Sequence, residues 1–207
     1  MKKHVFLGLG LFGITALLAA CGQQTKAATT QRTLNVAVST EASSLDPAHA
    51  VDATSGGILE QIMTPLYDHD KDGKIIPAMA TKVVKPTDGG KTYTLTLRKD
   101  VKWSDGTPVT AKDFVYSLKR IVDPKTKTEF AYQYDAIANY QDIVAGKKSP
   151  DTLGVSAPSK YVLKIQLSQP TPNFASQMTG YYPTNEAAVK RYGKQFGTSA
   201  DKIVTNG

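Results

Sequence analysis

Apolar and polar positions along this chain change period several times, and each change predicts an element. Leu34, Val36 and Val38 alternate with Asn35, Ala37 and Ser39, which is the period of a half-buried strand. Over residues 54–67 the apolar side chains Ile58, Leu59, Ile62, Met63 and Leu66 recur at helical spacing, with Thr54 or Ser55 available as the cap. Gly56 and Gly57 weaken the first turn of that helix or permit close backbone approach there. A strand is expected near residues 82–85, and a second where Tyr93, Leu95 and Leu97 alternate with Thr94, Thr96 and Arg98. Ser104-Asp105-Gly106-Thr107-Pro108 is turn chemistry, because glycine tolerates positive φ and proline fixes its own. Thr110 then fits a helix N-cap, and Asp113 fits the reciprocal partner of a capping box. Phe114, Val115, Leu118, Ile121 and Val122 share one face of that helix, which leaves Lys112, Lys119 and Arg120 for water.

Pro124 stops the helix. Residues 128–145 read as a second, aromatic-rich helix with Phe130, Tyr134, Ile137, Ile143 and Val144 on its buried side. Residues 153–155 and 161–167 read as a β pair, and residues 173–179 and 184–192 as short helices. The order of elements is that of a mixed α/β protein without internal repeats.

The first twenty residues change the picture. Lys2 and Lys3 precede an apolar run, Val5 to Leu18, that is too short for a comfortable membrane span. Leu18-Ala19-Ala20-Cys21 follows as a site of small residues ending in the chain's one cysteine. This resembles a bacterial lipobox, which implies a signal peptide at residues 1–20 and lipid attachment at Cys21. Two acyl chains hold a protein at a bilayer, since each buried methylene contributes about 0.8 kcal/mol. Residues 21–31 are small, polar and aperiodic, as expected of a flexible tether. The expected location is therefore the extracytoplasmic face of a membrane, the cell surface of a Gram-positive bacterium or a periplasm.

Composition then excludes several classes of function. With 41% hydrophobic residues the chain can build a core, and its formal charge of +7 includes Lys2 and Lys3 of the leader. Lysines interleaved with acids describe a solvated surface and not a nucleic-acid groove. His4, His49 and His69 are too scattered for a metal site or a catalytic triad, and no serine sits in a nucleophile elbow. No enzyme, cofactor or metal is expected. Asp68-His69-Asp70-Lys71-Asp72-Gly73 imitates the opening of a calcium loop, but the twelfth position, where a bidentate acid is required, is Met79. A hairpin turn at Asp72-Gly73 is the reading. Gly8-x-Gly10-x-x-Gly13 fits a dinucleotide pattern, yet it lies in the leader with no strand before it.

The run VKWSDGTPVTAKDFVYSLKR, residues 101–120, resembles the signature region of the family 5 extracytoplasmic solute-binding proteins, the peptide and nickel receptors of ABC importers. It is most similar to their oligopeptide-binding branch. Leu45-Asp46-Pro47, Gly73-Lys74, Pro77 to Ala80 and Asp88 to Tyr93 extend the likeness. The resemblance implies a periplasmic-binding-protein-like type II α/β fold, incomplete: the first part of lobe I at 32–63, its small inserted subdomain at 64–183, and a return to lobe I at 184–207. In the family Asn206-Gly207 falls in the interior of a longer protein, so this chain is expected to be an N-terminal portion, with apolar faces near 34–39 and 189–204 lacking partners.

For function the resemblance implies capture of oligopeptides outside the membrane and delivery to a permease. Its alternatives are a surface pheromone-binding or adhesion protein of the same fold, or a truncated chain that binds nothing. It implies that Val51 and Asp52 approach the amino end of a peptide, Asp52 pairing with the ammonium, and that Phe130 and Tyr132 supply an aromatic wall. Trp103, Asp105, Gly106, Pro108, Asp113 and Phe114 are expected to serve structure, Trp103 as a packing anchor.

Overall fold

The computed structural model describes residues 35–207. The leader, Cys21, the tether and Leu34 lie outside the described residues. Contacts divide the chain after Ala37, and Val38–Gly207 forms one unit. Its centre is a three-stranded antiparallel sheet of β3 (Thr92–Thr96), β4 (Val155–Ser159) and β5 (Val162–Gln166), in the order β3-β5-β4. Tyr93 pairs with Ile165 and Leu95 with Leu163 across β3 and β5, while Val155 meets Ile165 from β4. All five are buried, and the alternate positions Thr94, Thr96, Lys164 and Gln166 are exposed. Period-two patterning thus gives the sheet one apolar face.

Helix α2 (Ala111–Val122) covers that face with Phe114, Leu118, Ile121 and Val122, each at most 3% exposed. Burying each such side chain stabilises by about 1.5–3 kcal/mol. The Asp113 carboxylate closes the helix start as expected, accepting from Thr110 N at 2.7 Å and from its hydroxyl at 2.8 Å. Before α2 the chain forms α1 (Ala53–Ile62) and a hairpin of β1 (Tyr67–His69) and β2 (Ile75–Pro77). The hairpin turns through Asp70, whose Oδ1 accepts from Asp72 N and Lys74 N at 2.9 Å. Asp72-Gly73 is therefore turn structure, and among the described residues no His, Cys, Asp and Glu group could hold a metal.

Several expectations fail for physical reasons. Residues 35–38 form no strand, because no strand among the described residues pairs with them, and Val36 and Val38 are exposed. Residues 82–85 likewise stay irregular; Val84 N spends its hydrogen bond on the buried hydroxyl of Tyr67. The helix expected over 128–145 is broken into a 3₁₀ turn at Ala131–Tyr134 and α3 (Tyr140–Val144). Between them the backbone joins the sheet edge: Ala138 N donates to Gln166 O, and Ala138 O accepts from Gly154 N, both at 2.9 Å. Asn139 then takes a positive φ of 69°, ending any helix. Gly154 is demanded by this crossing, since a Cβ there would come within 2.6 Å of Gln166 O.

The last helices are α4 (Phe174–Gln177) and α5 (Glu186–Tyr192), the latter capped by Asn185, whose side chain accepts from Ala188 N. The segment after α5 is better partnered than the sequence suggests. Phe196 is buried, Ile203 and Val204 pack partly against the core, and Asn206 brackets Thr64 through two 3.0 Å hydrogen bonds.

Candidate functional site

A polar hub fixes the frame of the site. The Asp46 carboxylate accepts two bonds from the Arg120 guanidinium at 2.7 and 2.6 Å and one from Ala48 N at 3.0 Å. Its side chain is 3% exposed and that of Arg120 16%. Arg120 was expected in water; it is instead half of a buried, bidentate pair, further covered by the Phe196 ring. Burial opposes the guanidinium charge, but the Asp46 hydrogen bonds and charge outweigh it and raise its pKa above the ordinary value. Gly197 completes the hub: its carbonyl accepts from Leu45 N at 2.7 Å, and a Cβ there would lie 2.3 Å from Asp46 N. The Leu-Asp-Pro turn, α2 and the segment after α5 are thereby held together.

The signature turn is the second anchor. Asp105 Oδ1 accepts from Thr107 N and Oγ1, and these bonds hold its carboxyl below the usual carboxylate range. Gly106 has φ 86°, and Lys102 bridges Pro108 across the turn. Trp103 is 3% exposed; its indole N–H lies toward the Asp113 carboxylate without reaching hydrogen-bond geometry. Burial raises the Asp113 pKa against the opposing pull of Thr110 and Trp103. Trp103 and Phe114 line none of the clefts described below.

Between the start of α1, the 129–134 segment and residues 179–182 lies a cleft of about 600 Å³. Val51, Phe130 and Tyr132 line it, together with Glu60, Glu129 and Tyr182. Tyr132 is 65% exposed and stands at the junction of this cleft and two smaller ones. Burial first, then the carboxylates of Glu60 and Asp68, push the Tyr182 phenol up to about 12, so its hydroxyl keeps its proton at neutral pH. The wall it belongs to offers aromatic faces and acceptors.

Asp52 stands apart from this wall. It is the N-cap of α1, where its Oδ1 accepts from Ser55 N at 2.8 Å, and its other oxygen accepts from the hydroxyls of Ser43 and Ser55. These bonds hold its carboxyl far below the usual range. The cleft carboxylates Glu60 and Glu129 escaped sequence reading, because an isolated glutamate on a polar stripe looks the same facing solvent or facing a cleft. The Asp46–Arg120 pair had a partial signal in the Leu-Asp-Pro turn, but nothing in the sequence names its partner 74 residues away.

Residues 74–207 match the family described as bacterial extracellular solute-binding proteins, family 5 Middle. The chain belongs to this family. It is 41% identical to the dipeptide-binding protein of Lactococcus lactis over 213 residues, covering all of this chain and 38% of that relative. Among solved structures it resembles that of the pheromone receptor PrgZ, determined with its mode of peptide binding, at 44% identity with a TM-score of 0.77. It also resembles Listeria monocytogenes OppA bound to peptide, at 41% identity and the same TM-score. Each structural match covers 79% of this chain and 33% of the solved one. The chain thus spans well under half of the proteins it matches, and the family is one of solute-binding proteins with a mixed α/β fold.

Proposed function

We propose that this chain is part of a receptor that captures short peptides outside the membrane and hands them to the permease of an ABC importer. The observation that carries the reading is the roomy cleft bearing Val51, Phe130 and Tyr132, in a family whose relatives are named for dipeptides and oligopeptides. An aromatic, acceptor-rich wall suits an extended peptide, whose main chain supplies donors and acceptors whatever its side chains. The lipid anchor at Cys21 keeps the receptor at the outer face of the membrane. Asp52 is the proposed partner of the peptide's ammonium, and the carboxylates of Glu60 and Glu129, which make no ion pair among the described residues, offer further acceptors for it. Likeness to a pheromone receptor favours a second reading, capture of a peptide signal.

Isothermal titration of the purified full-length protein with a random tetrapeptide pool tests the assignment. Heat that saturates supports it. No heat with peptides, together with clear heat from a nickel chelate, haem or an oligosaccharide, overturns it.

A further inference from the structure

Along the sequence lysines alternate with acids, but the fold sorts them. Strands β3, β4 and β5 contain no carboxylate, and neither do residues 79–85 or 152–168. Backbone bonds gather these segments around the first turn of α2: Ala111 N donates to Lys160 O at 2.9 Å, Leu97 N to Tyr161 O at 2.8 Å, and Thr81 N to Thr96 O at 2.8 Å. Lys102 bridges Pro108 at the same end. Lys82, Lys99, Lys102, Lys160 and Lys164 lie on or beside these segments, and Lys112 lies in the first turn of α2. All six are exposed, and none makes an ion pair among the described residues. The acids nearby are engaged elsewhere. Arg98 holds Asp100 through bonds of 3.1 and 2.7 Å, Asp113 closes the capping box, and Asp105 accepts from Thr107. The surplus charge at this end is positive.

The cleft is at the other end of α2. Ile121, in the last turn, lines it, and the twelve residues of α2 span about 18 Å. There the charges have the opposite sign, since Glu60 and Glu129 belong to a lining without Lys, Arg or His. A partner seated on the lysines therefore leaves the cleft open. Six ammonium groups on long flexible stems, presented from four chain segments on an open surface, suit a broad layer of phosphates better than one enclosed anion.

We infer that this end of the protein docks on a membrane surface through anionic phospholipid headgroups, with the cleft held at the far end of α2. The inference goes beyond the peptide reading and takes from the lipid-anchor reading only the nearness of a bilayer. Each lysine close to an anionic surface is worth about fivefold in affinity, so several together add a second, reversible hold to an acyl anchor.

Co-sedimentation with vesicles tests it. Full-length mature protein made from Gly22 onward, and so without acyl chains, is mixed with vesicles of phosphatidylcholine with or without an equal part of phosphatidylglycerol. At about 50 mM salt it is expected to sediment with the anionic vesicles only, and at about 500 mM to be released. Lys99→Gln, Lys102→Gln and Lys160→Gln together are expected to weaken binding at least about tenfold. Lys125→Gln, Lys147→Gln and Lys194→Gln remove as much charge beyond the ends of α2, α3 and α5, and are expected to weaken it about threefold or less. Both sets change exposed side chains, and an unchanged melting transition verifies the fold of each before binding is read. Equal losses in the two sets mean that net charge alone drives binding, and overturn the inference. So does a parent protein that leaves the anionic vesicles unbound. Retention of the parent by the purified permease and not by vesicles, lost in the first set alone, gives this face to a protein partner and likewise overturns the lipid assignment.

Discussion

The Asp46–Arg120 hub and the wall formed by Glu60 of α1 with residues 129–135 and 177–182 are both built from carboxylates and aromatic rings, yet they use them in opposite ways. In the hub every oxygen of Asp46 is engaged, the guanidinium is met in bidentate fashion, and glycine is required where backbones touch. At the wall Glu60, Glu129 and Asp135 stand without ion-pair partners among the described residues, and two buried polar atoms lack hydrogen bonds. A saturated carboxylate holds the frame; an unsaturated one remains free to meet a ligand. The contrast predicts which substitutions should unfold the protein and which should spare the fold and, on the proposed reading, weaken peptide binding.

The largest expected effect breaks the hub. Arg120→Ala leaves the Asp46 carboxylate buried without its countercharge, and urea unfolding should show a loss of about 3–5 kcal/mol. The paired change Asp46→Asn with Arg120→Met should recover much of it. A loss below about 1 kcal/mol for Arg120→Ala would mean that the hub is not structural. Gly197→Ala comes next, since its φ of 75° and the close Asp46 backbone together cost about 2–3 kcal/mol.

Wall substitutions should invert the pattern. Tyr132→Ala is expected to change stability by about 0.5 kcal/mol or less because the side chain is largely exposed, while peptide affinity falls about tenfold. Equal loss of stability and affinity would erase the distinction between hub and wall. The smallest effect is a pH signature at Asp52. Its folded pKa is depressed, chiefly by Ser43 and Ser55, so its contribution is fully present above the unfolded carboxyl value of about 3.9 and is lost as pH falls toward the folded value. Melting temperature followed between neutral and strongly acid pH should therefore drop less steeply below that value in Asp52→Asn. Parallel acid limbs would show that Asp52 is not held by its serines.

How far the site was legible follows from what each residue needed. Val51, Phe130 and Tyr132 were placed through resemblance, and the structure brings all three onto one cleft. Glu60, Glu129 and Tyr182 were not seen, because a cleft is made of residues from separate segments and no local period marks them. The failed helix over residues 128–145 has the same origin: helical spacing of Tyr134 and Ile137 was real, but the backbone at 136–138 found sheet partners in Gly154, Gln166 and Ser168.

The sequence by itself determined the elements whose stabilising interactions are local. Alternation set the buried face of β3 and β5, and the capping box started α2. Asp72-Gly73 turned the hairpin, and Pro124 followed the last turn of α2. Tertiary structure alone decided the fate of polar groups whose partners lie far along the chain. Arg120 left water for Asp46, Asn206 reached Thr64, and residues 35–38 stayed unpaired for want of a neighbouring strand among the described residues. Local periodicity records which side of an element is apolar, and hydrogen bonds between distant segments record which polar group the fold brings within about 3 Å of another.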